Sequence, residues 1–361
     1  MKKIVLVAIG VILLFSVESF GQKGYKFRPP HKQSWTWNKF RHGYWSVGFG
    51  LNAMNYFGDI TPYPGFYSTD LSFTKFNFSI FALKRISPSF TTRFMFSYGT
   101  MEGADSLSAS PSSPHDQFRY IRNLSFRNTV YEATVMGVFD LKTHRDVFYD
   151  RPLSVIPYLL FGVGVLYHNP EAQRPQQFGG GWVDLQPLGT EGQGRDGYDT
   201  KYSKVQICIP LGIGFRKRIA QRWDLSVEFT ARYLLTDYLD DVSRNYVDLG
   251  VFGDDDLTRA LHDRSREGGR NLRLETPYTP PDYTYIGKDG RQYTTFLGYG
   301  NDQYPDNIRG NATDRDTYTV VGIHLAYIIP GQVRCPEPFR NRGGKFKKGF
   351  NFFFNQKGAM R

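Results

Sequence analysis

Five ionisable residues stand out because they fall on the predicted inward face of strand-like segments. They are Arg93, Glu132, Glu228, Arg232 and His324. Two carboxylates beside arginine and histidine can act as an acid and base pair, relay a proton or form a structural ion network. Because an unpaired charge in a narrow space is costly, we expect both arginines to pair with the two glutamates. A packed ion network is favoured over a gated pore and over a proton path or catalytic pair.

These charged positions belong to segments in which bulky apolar residues alternate with small or polar ones. In the first such segment, every second residue from Trp45 to Ala53 is apolar. The residues between them, from Tyr44 to Asn52, are mostly small or polar. A period of two is typical of a β-strand with different surroundings on its two faces. The same alternation predicts eight strands: 43–55, 75–85, 89–100, 127–141, 153–167, 203–217, 222–237 and 315–329.

The connections between these strands alternate between long and short. Connections 86–88, 142–152 and 218–221 are each shorter than their neighbours on either side, and the longest connection is 238–314. Outer-membrane barrels have an even number of strands, short periplasmic turns and long outer loops. A soluble barrel or a β-sandwich can show the same alternation. The composition of the second face of the strands discriminates between these folds.

That second face consists mainly of glycine and serine rather than lysine and glutamate. Small residues suit the interior of an eight-stranded barrel, which is only wide enough for side chains, and the bulky face then contacts lipid. Closure also pairs every strand edge, as a membrane requires. The sequence therefore predicts an all-β fold, an eight-stranded antiparallel transmembrane β-barrel with long extracellular loops. The small inward positions are Gly48, Gly50, Gly162, Gly164, Gly212, Gly214, Gly322, Ser46, Ser79 and Ser97.

The N-terminus has the pattern of a secretory signal peptide. Two lysines precede an apolar run from Ile4 to Val17, and small residues follow at the positions that a signal peptidase recognises. We therefore expect cleavage before Gln22. The expected location is the cell outer membrane. The expected domains are a signal peptide at 1–21, a basic periplasmic segment at 22–42, the barrel at 43–329 and a basic periplasmic tail at 330–361.

The two segments that flank the barrel are strongly basic. Segment 22–42 contains no acidic residue, and residues 334–361 contain eight basic residues against Glu337 alone. A basic surface attracts acidic partners. Docking of an acidic periplasmic protein is favoured over contact with the membrane surface or a tail without a partner, and nucleic acid is not expected. The residues expected to dock the partner are Arg340, Arg342, Lys345, Lys347 and Lys348.

The connection 238–314 is acidic by contrast and contains three consecutive aspartates, Asp254, Asp255 and Asp256. Carboxylate oxygens can bind a divalent cation, but the Gly and Glu spacing of a calcium loop is missing, so a solvated loop is favoured. The glycine-rich stretch 188–194 follows no nucleotide-binding pattern and is interpreted as a flexible loop. We expect no metal, no cofactor, no catalytic residue and no small-molecule substrate.

Six stretches of the chain occur together in a recognisable order. With them the chain resembles an outer-membrane barrel family of Bacteroidota that includes the PorG-type component of the type IX secretion system, over 43–250 and the last strand. The resemblance implies a barrel that works with the secretion and gliding machinery and associates with a periplasmic ring of a lipoprotein and its partner. The stretches are NYFGDITP (55–62), RNLSFRNTVYE (122–132), PYLLFGVGVLYHNP (157–170), LQPLGTEGQG (185–194), IPLGIGFRKRI (209–219) and LLTDYLDDVSRNY (234–246).

The family pattern falls on polar residues, most of which lie close to predicted strand ends. Asn and Asp suit turns at strand ends, so turn chemistry explains many of these positions without a functional role. The positions are Asn55, Asp59, Arg122, Asn123, Arg127, Glu132, Glu191, Asp237, Asp240 and Asp241.

Three classes of function stay open. The favoured one is a non-enzymatic subunit of the type IX secretion and gliding machinery, which contacts outer-membrane lipids and docks a periplasmic lipoprotein ring through its basic face. A surface barrel for adhesion or outer-membrane stabilisation is the alternative. A lipid-modifying enzyme is third, because His168 lies at an outward strand end but has no convincing set of catalytic partners.

Overall fold

The fold is described for most of the chain between the two basic segments. A computed structural model describes residues 44–60, 73–87, 89–114, 116–141, 155–220, 222–268, 271–303, 307–313 and 315–329. All of them belong to the first of the chain's two units, Met1–Pro330. The strands in this part of the chain are β1 Trp45–Phe57, β2 Lys75–Arg85, β3 Phe90–Ala104, β4 Ser125–Asp140, β5 Ile156–Gln173, β6 Trp182–Asp184, β7 Val205–Ala220, β8 Trp223–Leu234, β9 Asp282–Ile286, β10 Gln292–Phe296 and β11 Thr317–Ile329.

Eight of these strands form one closed antiparallel sheet. Their order is β1, β2, β3, β4, β5, β7, β8 and β11, and β11 pairs again with β1 to close the barrel. The short connections β2–β3, β4–β5 and β7–β8 lie at one end, which we call the turn end. The long connections lie at the opposite end, which we call the loop end.

The helices of the described residues are short and lie in the long connections. None of those in the described residues is long and apolar enough to cross a membrane. The α-helices are Asp105–Ser108, Gln117–Arg122, Asp256–His262 and Leu272–Glu275, and the 3-10 helices are Gln176–Phe178 and Leu249–Phe252.

The outer surface of the barrel is apolar around its whole circumference. Outward side chains such as Leu51, Phe96 and Ile207 are 63%, 47% and 47% exposed. An exposed apolar surface of this extent is unfavourable in water and suits hydrocarbon. The predicted fold class, an eight-stranded antiparallel transmembrane β-barrel, is therefore confirmed. Further exposed outward residues are Val47, Phe49, Phe78, Ile80, Phe94, Val135, Leu159, Phe161, Val163, Val165, Leu211, Ile213, Phe215 and Ile323.

Aromatic residues border this apolar band at both ends. Tyr131 and Tyr167 lie side by side towards the loop end, with ring centroids 6.2 Å apart, and Trp223 packs edge-on against Tyr327 near the turn end at 5.1 Å. Aromatic girdles of this kind mark the two membrane interfaces of a barrel. Tyr131 and Phe139 are eight positions apart on β4, which at about 3.3 Å per residue and about 40° of tilt spans roughly 20 Å.

Three strands extend further at the loop end than the sequence predicts. β3 ends at Ala104, β4 begins at Ser125 and β5 ends at Gln173, so the predicted ends at 100, 127 and 167 were wrong by a few residues. The inward alternation continues here with buried Met101 and Phe126. The outward positions become polar beyond the apolar band, which weakens the pattern of alternating hydrophobicity on which the prediction rests.

The long connections form a folded layer over the loop end. We call this layer the outer cap and define it as the described residues of 105–124, 174–204 and 235–316. It has apolar clusters of its own, including one in which Ile121, Tyr246, Leu272 and Tyr299 are buried together. The predicted loop 238–314 therefore contains packed secondary structure, with two α-helices, a 3-10 helix and the β9–β10 hairpin.

Candidate functional site

The most concentrated group of buried charges lies in the barrel interior around Glu228. Arg93 donates two hydrogen bonds to its two carboxylate oxygens, at 2.7 and 2.6 Å. Tyr158 donates to Oε1 at 2.5 Å, and His324 Nδ1 lies 3.1 Å from Oε2. The other ring nitrogen of His324 contacts Asn52 Oδ1 at 2.7 Å. Both oxygens of Glu228 are therefore engaged within the barrel.

Two glycines provide the space for this group. A Cβ at Gly50 would lie 2.0 Å from the His324 ring, and a Cβ at Gly214 would lie 2.4 Å from the Tyr158 ring. Side chains at these positions would collide with His324 and Tyr158, two of the three partners of Glu228. The small inward face noted in the sequence therefore positions the ion network.

A second buried group forms around Glu132. Arg232 Nε lies 3.4 Å from Glu132 Oε2, and Tyr318 donates a hydrogen bond to the same oxygen. The five inward residues singled out in the sequence thus divide into two groups, one on each glutamate.

A third group at the turn end was missed by the sequence analysis. Asp140 is 1% exposed and lies 2.7 Å from Arg85 NH1 and 2.6 Å from Arg216 NH2. The same period of two predicts all three as inward, because Arg85 follows Ser79 by six positions and Arg216 follows Gly214 by two. The alternation could therefore have identified them, but they lie at strand ends, where boundaries are least certain.

Apolar side chains fill the space around these charges. One cluster near the loop end includes Met54, Met101 and Leu166, and another near the turn end includes Phe81 and Met136. The described part of the interior is a packed core, as expected for eight strands. Paired charges in a packed core suit structural support better than acid–base chemistry, since the carboxylate oxygens of Glu228 are already bonded.

In the outer cap, several family-pattern residues hold the connections together. Arg122 donates to both oxygens of Asp105 at 2.8 Å, and to the backbone carbonyls of Asp59 at 2.7 Å and Arg309. Asn123 ends the helix Gln117–Arg122 with a φ of 58°, a left-handed conformation that asparagine tolerates. One arginine therefore connects two segments of the cap with the start of the β1–β2 connection.

Glu191 is the second centre of the cap. It accepts a hydrogen bond from Arg309 at 2.7 Å and from the backbone amides of Ser243 and Arg244 at 3.0 and 3.2 Å. Stretch 188–194, which the sequence analysis interpreted as a flexible loop, is thus built into the cap. Positive φ angles at Gly189 and its neighbouring glycines direct Glu191 inward.

The remaining family-pattern residues have local structural contacts. Asn55 accepts from Thr74 at 2.6 Å, and Arg127 pairs with Glu171 while its guanidinium lies 4.0 Å from the Trp182 ring. Asp59 accepts from the Asn311 amide at 3.0 Å, and Asp241 accepts from Tyr202 at 2.6 Å. Asp240 accepts from the Val242 amide at 2.9 Å, and Asp237 lies near Asp316.

Burial shifts the titration of two groups in the cap in opposite directions. It raises the pKa of Asp241 to about 6, although Arg309 opposes the rise. Burial, together with Arg309, lowers the pKa of His262 to about 3. His262 Nδ1 lies 2.6 Å from the carbonyl of Thr190 and Nε2 lies 3.2 Å from the amide of Val247, so the neutral ring donates from Nδ1 and accepts at Nε2.

The three consecutive aspartates serve local structure. Asp254 pairs with Arg291 at 2.6 Å, Asp255 caps the helix Asp256–His262 by accepting from the Thr258 amide at 3.0 Å, and Asp256 pairs with Arg259. Within the described residues, no group of three or more His, Cys, Asp or Glu side chains could hold a metal ion.

Two further sequence expectations have different outcomes. His168 is fully buried and its ring stacks on Tyr202 with centroids 6.0 Å apart, so it does not face the outside as a catalytic histidine would have to. His168 lies towards the loop end of β5, where the sequence placed it, but its side chain belongs to the inward set of that strand. The proposed docking residues, Arg340, Arg342, Lys345, Lys347 and Lys348, lie outside the described residues.

Comparisons with known proteins give likenesses of shape only. No family model matches the chain, and no curated protein matches it. The structure of Neisserial surface protein A is 11% identical, with 78% of this chain and 96% of that one covered and a TM-score of 0.33. The attachment invasion locus protein of Yersinia pestis is 9% identical, with 80% and 99% covered and a TM-score of 0.30.

The outer membrane protein OprG from Pseudomonas aeruginosa is a third structure of this kind. It is 7% identical, with 81% of this chain and 98% of that chain covered and a TM-score of 0.33. Likenesses at this level do not determine what the present chain binds or does. The class of protein follows from its own closed barrel and apolar outer surface.

Proposed function

We propose that the protein is a non-enzymatic β-barrel of the cell outer membrane that serves as a structural subunit of the type IX secretion and gliding machinery. In this role it docks an acidic periplasmic ring complex through its basic flanking segments. The observation that supports the role most is the combination of a packed, ion-paired interior with a closing register in which the first residues of β1 pair with the last residues of β11.

The packed interior supports a scaffold over a channel or an enzyme. Both oxygens of Glu228 are bonded, to Arg93 and Tyr158. Glu132 is 1% exposed and uses Oε2 for Tyr318 and Arg232, and its Oε1 has no hydrogen-bond partner among the described residues but is buried away from any substrate. A catalytic carboxylate would need a free oxygen within hydrogen-bond distance of a substrate. A barrel filled in this way has its two ends, rather than its interior, as surfaces for partners.

The register of the closing strands supports docking at the turn end. Trp45 at the start of β1 pairs with Ile329 at the end of β11. The first and last residues of the barrel, Trp45 and Ile329, are therefore both at the turn end, opposite the outer cap. Together, segments 22–42 and 334–361 contain thirteen more basic than acidic residues. This positive charge would attract an acidic protein.

The docking proposal can be tested by removing charge from the tail while the barrel stays intact. In the full chain, Arg340, Arg342, Lys345, Lys347 and Lys348 are replaced by serine, and periplasmic proteins are captured by cross-linking in living cells. We expect loss of the captured ring proteins and of type IX secretion. The matched control replaces five exposed cations of the outer cap by serine and should retain both: Lys201, Arg244, Arg266, Arg273 and Lys288.

Equal capture by the tail variant and the unchanged protein, with normal secretion, would contradict this proposal. Genes for ring-forming lipoproteins beside the gene for this chain would support it further.

A surface role is the second candidate, and the ordered outer cap favours it. Buried arginines and three apolar clusters give the cap a fixed surface that could contact glycan or lipopolysaccharide. Binding of the purified barrel in lipid nanodiscs to lipopolysaccharide, in an assay where the tail variant binds equally well, would favour adhesion or membrane stabilisation. An unaltered lipid A mass spectrum in a deletion strain would argue against a lipid-modifying enzyme.

A further inference from the structure

The junction between barrel and outer cap contains a phenol between two buried carboxyl groups. The Tyr56 hydroxyl oxygen at the end of β1 lies 2.6 Å from Asp240 Oδ2 and 2.7 Å from Asp316 Oδ1. Both carboxyl groups are 1% exposed. Asp240 belongs to the cap segment after β8, and Asp316 directly precedes β11. The three residues thus join the barrel wall to the cap at a single point.

The second oxygen of each carboxyl group is also engaged. Asp240 Oδ1 accepts from the Val242 amide at 2.9 Å, and Asp316 Oδ2 accepts from the Leu239 amide at 2.7 Å. Gly58 permits this crowding, because a Cβ there would lie 1.9 Å from the Tyr56 hydroxyl and 2.1 Å from Asp316 Oδ1. The geometry therefore fixes which oxygen of each acid faces the phenol.

The two contacts of the Tyr56 hydroxyl need two protons, and two ionised acids would leave only the phenol proton. A phenol has a single proton and can donate it to only one carboxylate. Both distances are those of O–H···O hydrogen bonds. If Asp240 and Asp316 were both ionised, one of the two contacts would bring two oxygen atoms together without a proton between them. One of the acids must therefore donate a proton to the phenol oxygen.

The surroundings favour the neutral acid. Asp59 from the β1–β2 connection and Asp237 from the segment after β8 add negative charge nearby. Burial, followed by Asp316 and Asp59, raises the pKa of Asp240 well above its usual range. Burial, with Asp237 and Asp59 adding to it, raises the pKa of Asp316 in the same way, against the hydrogen bonds that it accepts.

Two buried arginines of the cap, Arg122 and Arg309, are bonded to other acids. Arg122 forms its side-chain ion pair with Asp105 and reaches only the backbone carbonyl of Asp59. Arg309 pairs with Glu191.

We propose that Tyr56, Asp240 and Asp316 share a second proton at neutral pH and form a pH-sensitive latch between the barrel rim and the outer cap. When the pH rises and the proton leaves, two buried carboxylates compete for one phenol proton. One of the two contacts then breaks, and the cap segment from Leu239 to Val242 loosens.

The sign follows from linkage between protonation and folding. A group whose pKa is raised in the folded state stabilises that state fully below its unfolded pKa, and this contribution is lost as the pH rises through the folded value. The latch is therefore closed in acid and at neutral pH and opens in alkali.

Infrared spectroscopy of the full-length protein in lipid nanodiscs detects the shared proton directly. We expect a carbonyl band of a buried carboxylic acid at pH 7 that disappears as the pH is raised. Asp240→Asn and Asp316→Asn should each lack it, because an asparagine amide donates to the phenol oxygen and leaves the other acid ionised. Asp241→Asn is the matched control and should keep the band.

Hydrogen exchange gives a second readout, which can be measured first on the unchanged protein. After correction for intrinsic exchange, the Leu239 and Val242 amides should open about tenfold more often for each pH unit between the unfolded aspartate pKa of about 3.9 and the latch's titration point, and the opening should level off above that point. Amides in the middle of β4 should show no such dependence. In Asp240→Asn, the dependence at the two cap amides should disappear.

Three results would overturn the latch. The first is the absence of the band at pH 7, and the second is its persistence in both asparagine variants. The third is a band that calcium chloride removes at constant pH, because the pair would then bind a cation in place of the proton.

Discussion

The barrel interior and its junction with the outer cap both bury carboxyl groups, but they neutralise them differently. In the interior, Glu228 faces Arg93 with two hydrogen bonds, and Asp140 lies between Arg85 and Arg216. At the junction, Asp240 and Asp316 face a shared phenol. Arginine remains charged at any physiological pH, so these two groups keep their neutralising charge, whereas the junction depends on a proton that can leave.

The difference matches the surroundings of the two regions. Hydrocarbon surrounds the barrel wall, and a buried charge without a partner would be costly there. The cap lies beyond the aromatic girdle at the loop end, where water is close enough to exchange protons. A permanent ion pair suits the first region and a titratable contact suits the second.

The largest effect is expected from removing one partner of the central ion pair. Glu228→Ala leaves the guanidinium of Arg93 buried without a carboxylate, so the free energy of unfolding should fall by about 3–5 kcal/mol. Urea unfolding in lipid bilayers, followed by tryptophan fluorescence, measures this. The double variant Arg93→Leu with Glu228→Leu should lose less, because no charge is stranded. Equal losses in both variants would show that packing, not charge, dominates.

Removing a buried arginine of the cap should destabilise the cap but not the barrel. Arg309→Met removes the hydrogen bonds to Glu191 and to the carbonyl of Asp241, at 2.7 and 2.9 Å. We expect the cap to lose about 3 kcal/mol of local stability, seen as faster proteolysis within 235–316, while the barrel unfolds as before. Arg244→Met, at an arginine whose side chain is 60% exposed, is the control and should not change proteolysis. A barrel that also melts earlier would mean that cap and barrel fold as one unit.

Acid should weaken the cap through His262 rather than through the latch. The pKa of His262 is lowered to about 3 in the folded protein. Its contribution to the stability of the cap is therefore complete above the pKa of unfolded histidine, about 6.5, and is lost as the pH falls towards 3. At pH 5 the loss should be about 2 kcal/mol. Asp241, whose pKa is raised to about 6, acts in the opposite direction.

The difference between the unchanged protein and His262→Gln isolates the histidine contribution. The glutamine amide can donate to Thr190 and accept from Val247 without titrating. Hydrogen exchange at the Val247 amide is the measurement. The same acid dependence in both proteins would rule out His262 as its source.

The smallest effect is expected on the polar outer rim of the barrel. Lys75 and Glu102 form an ion pair in which both side chains are 32% exposed. Lys75→Ala should change the free energy of unfolding by less than about 1 kcal/mol, measured in the same urea experiment. A double-mutant cycle with Glu102→Ala gives the pair energy. A coupling as large as that at Glu228 would contradict the distinction between buried and exposed pairs.

Much of the barrel could be predicted because its signal is local. Each strand repeats every two residues, so Trp45, Phe94 and Ile207 could be assigned to one face from their neighbours alone. The inward position of Glu228 and Arg93 followed from the same repeat. The extensions of β3, β4 and β5 could not be predicted as well, because apolar alternation ends where the outward positions become polar.

The outer cap could not be predicted in this way. Glu191 lies in a glycine-rich stretch that resembles an ordinary loop, and it is buried only because Arg309 and the amides of Ser243 and Arg244 meet it there. The family pattern marked Glu191 and Asp240 but did not show what they contact.

The sequence alone thus determined the number of strands, their two faces and the membrane as their surroundings, because these depend on the order of neighbouring residues. The tertiary structure decided which charges meet. Arg93 is 135 residues from Glu228, and Tyr56 is 184 and 260 residues from its two acids. Such distant residues meet only when the barrel closes and the cap folds over it, since closure sets the register that brings their strands together.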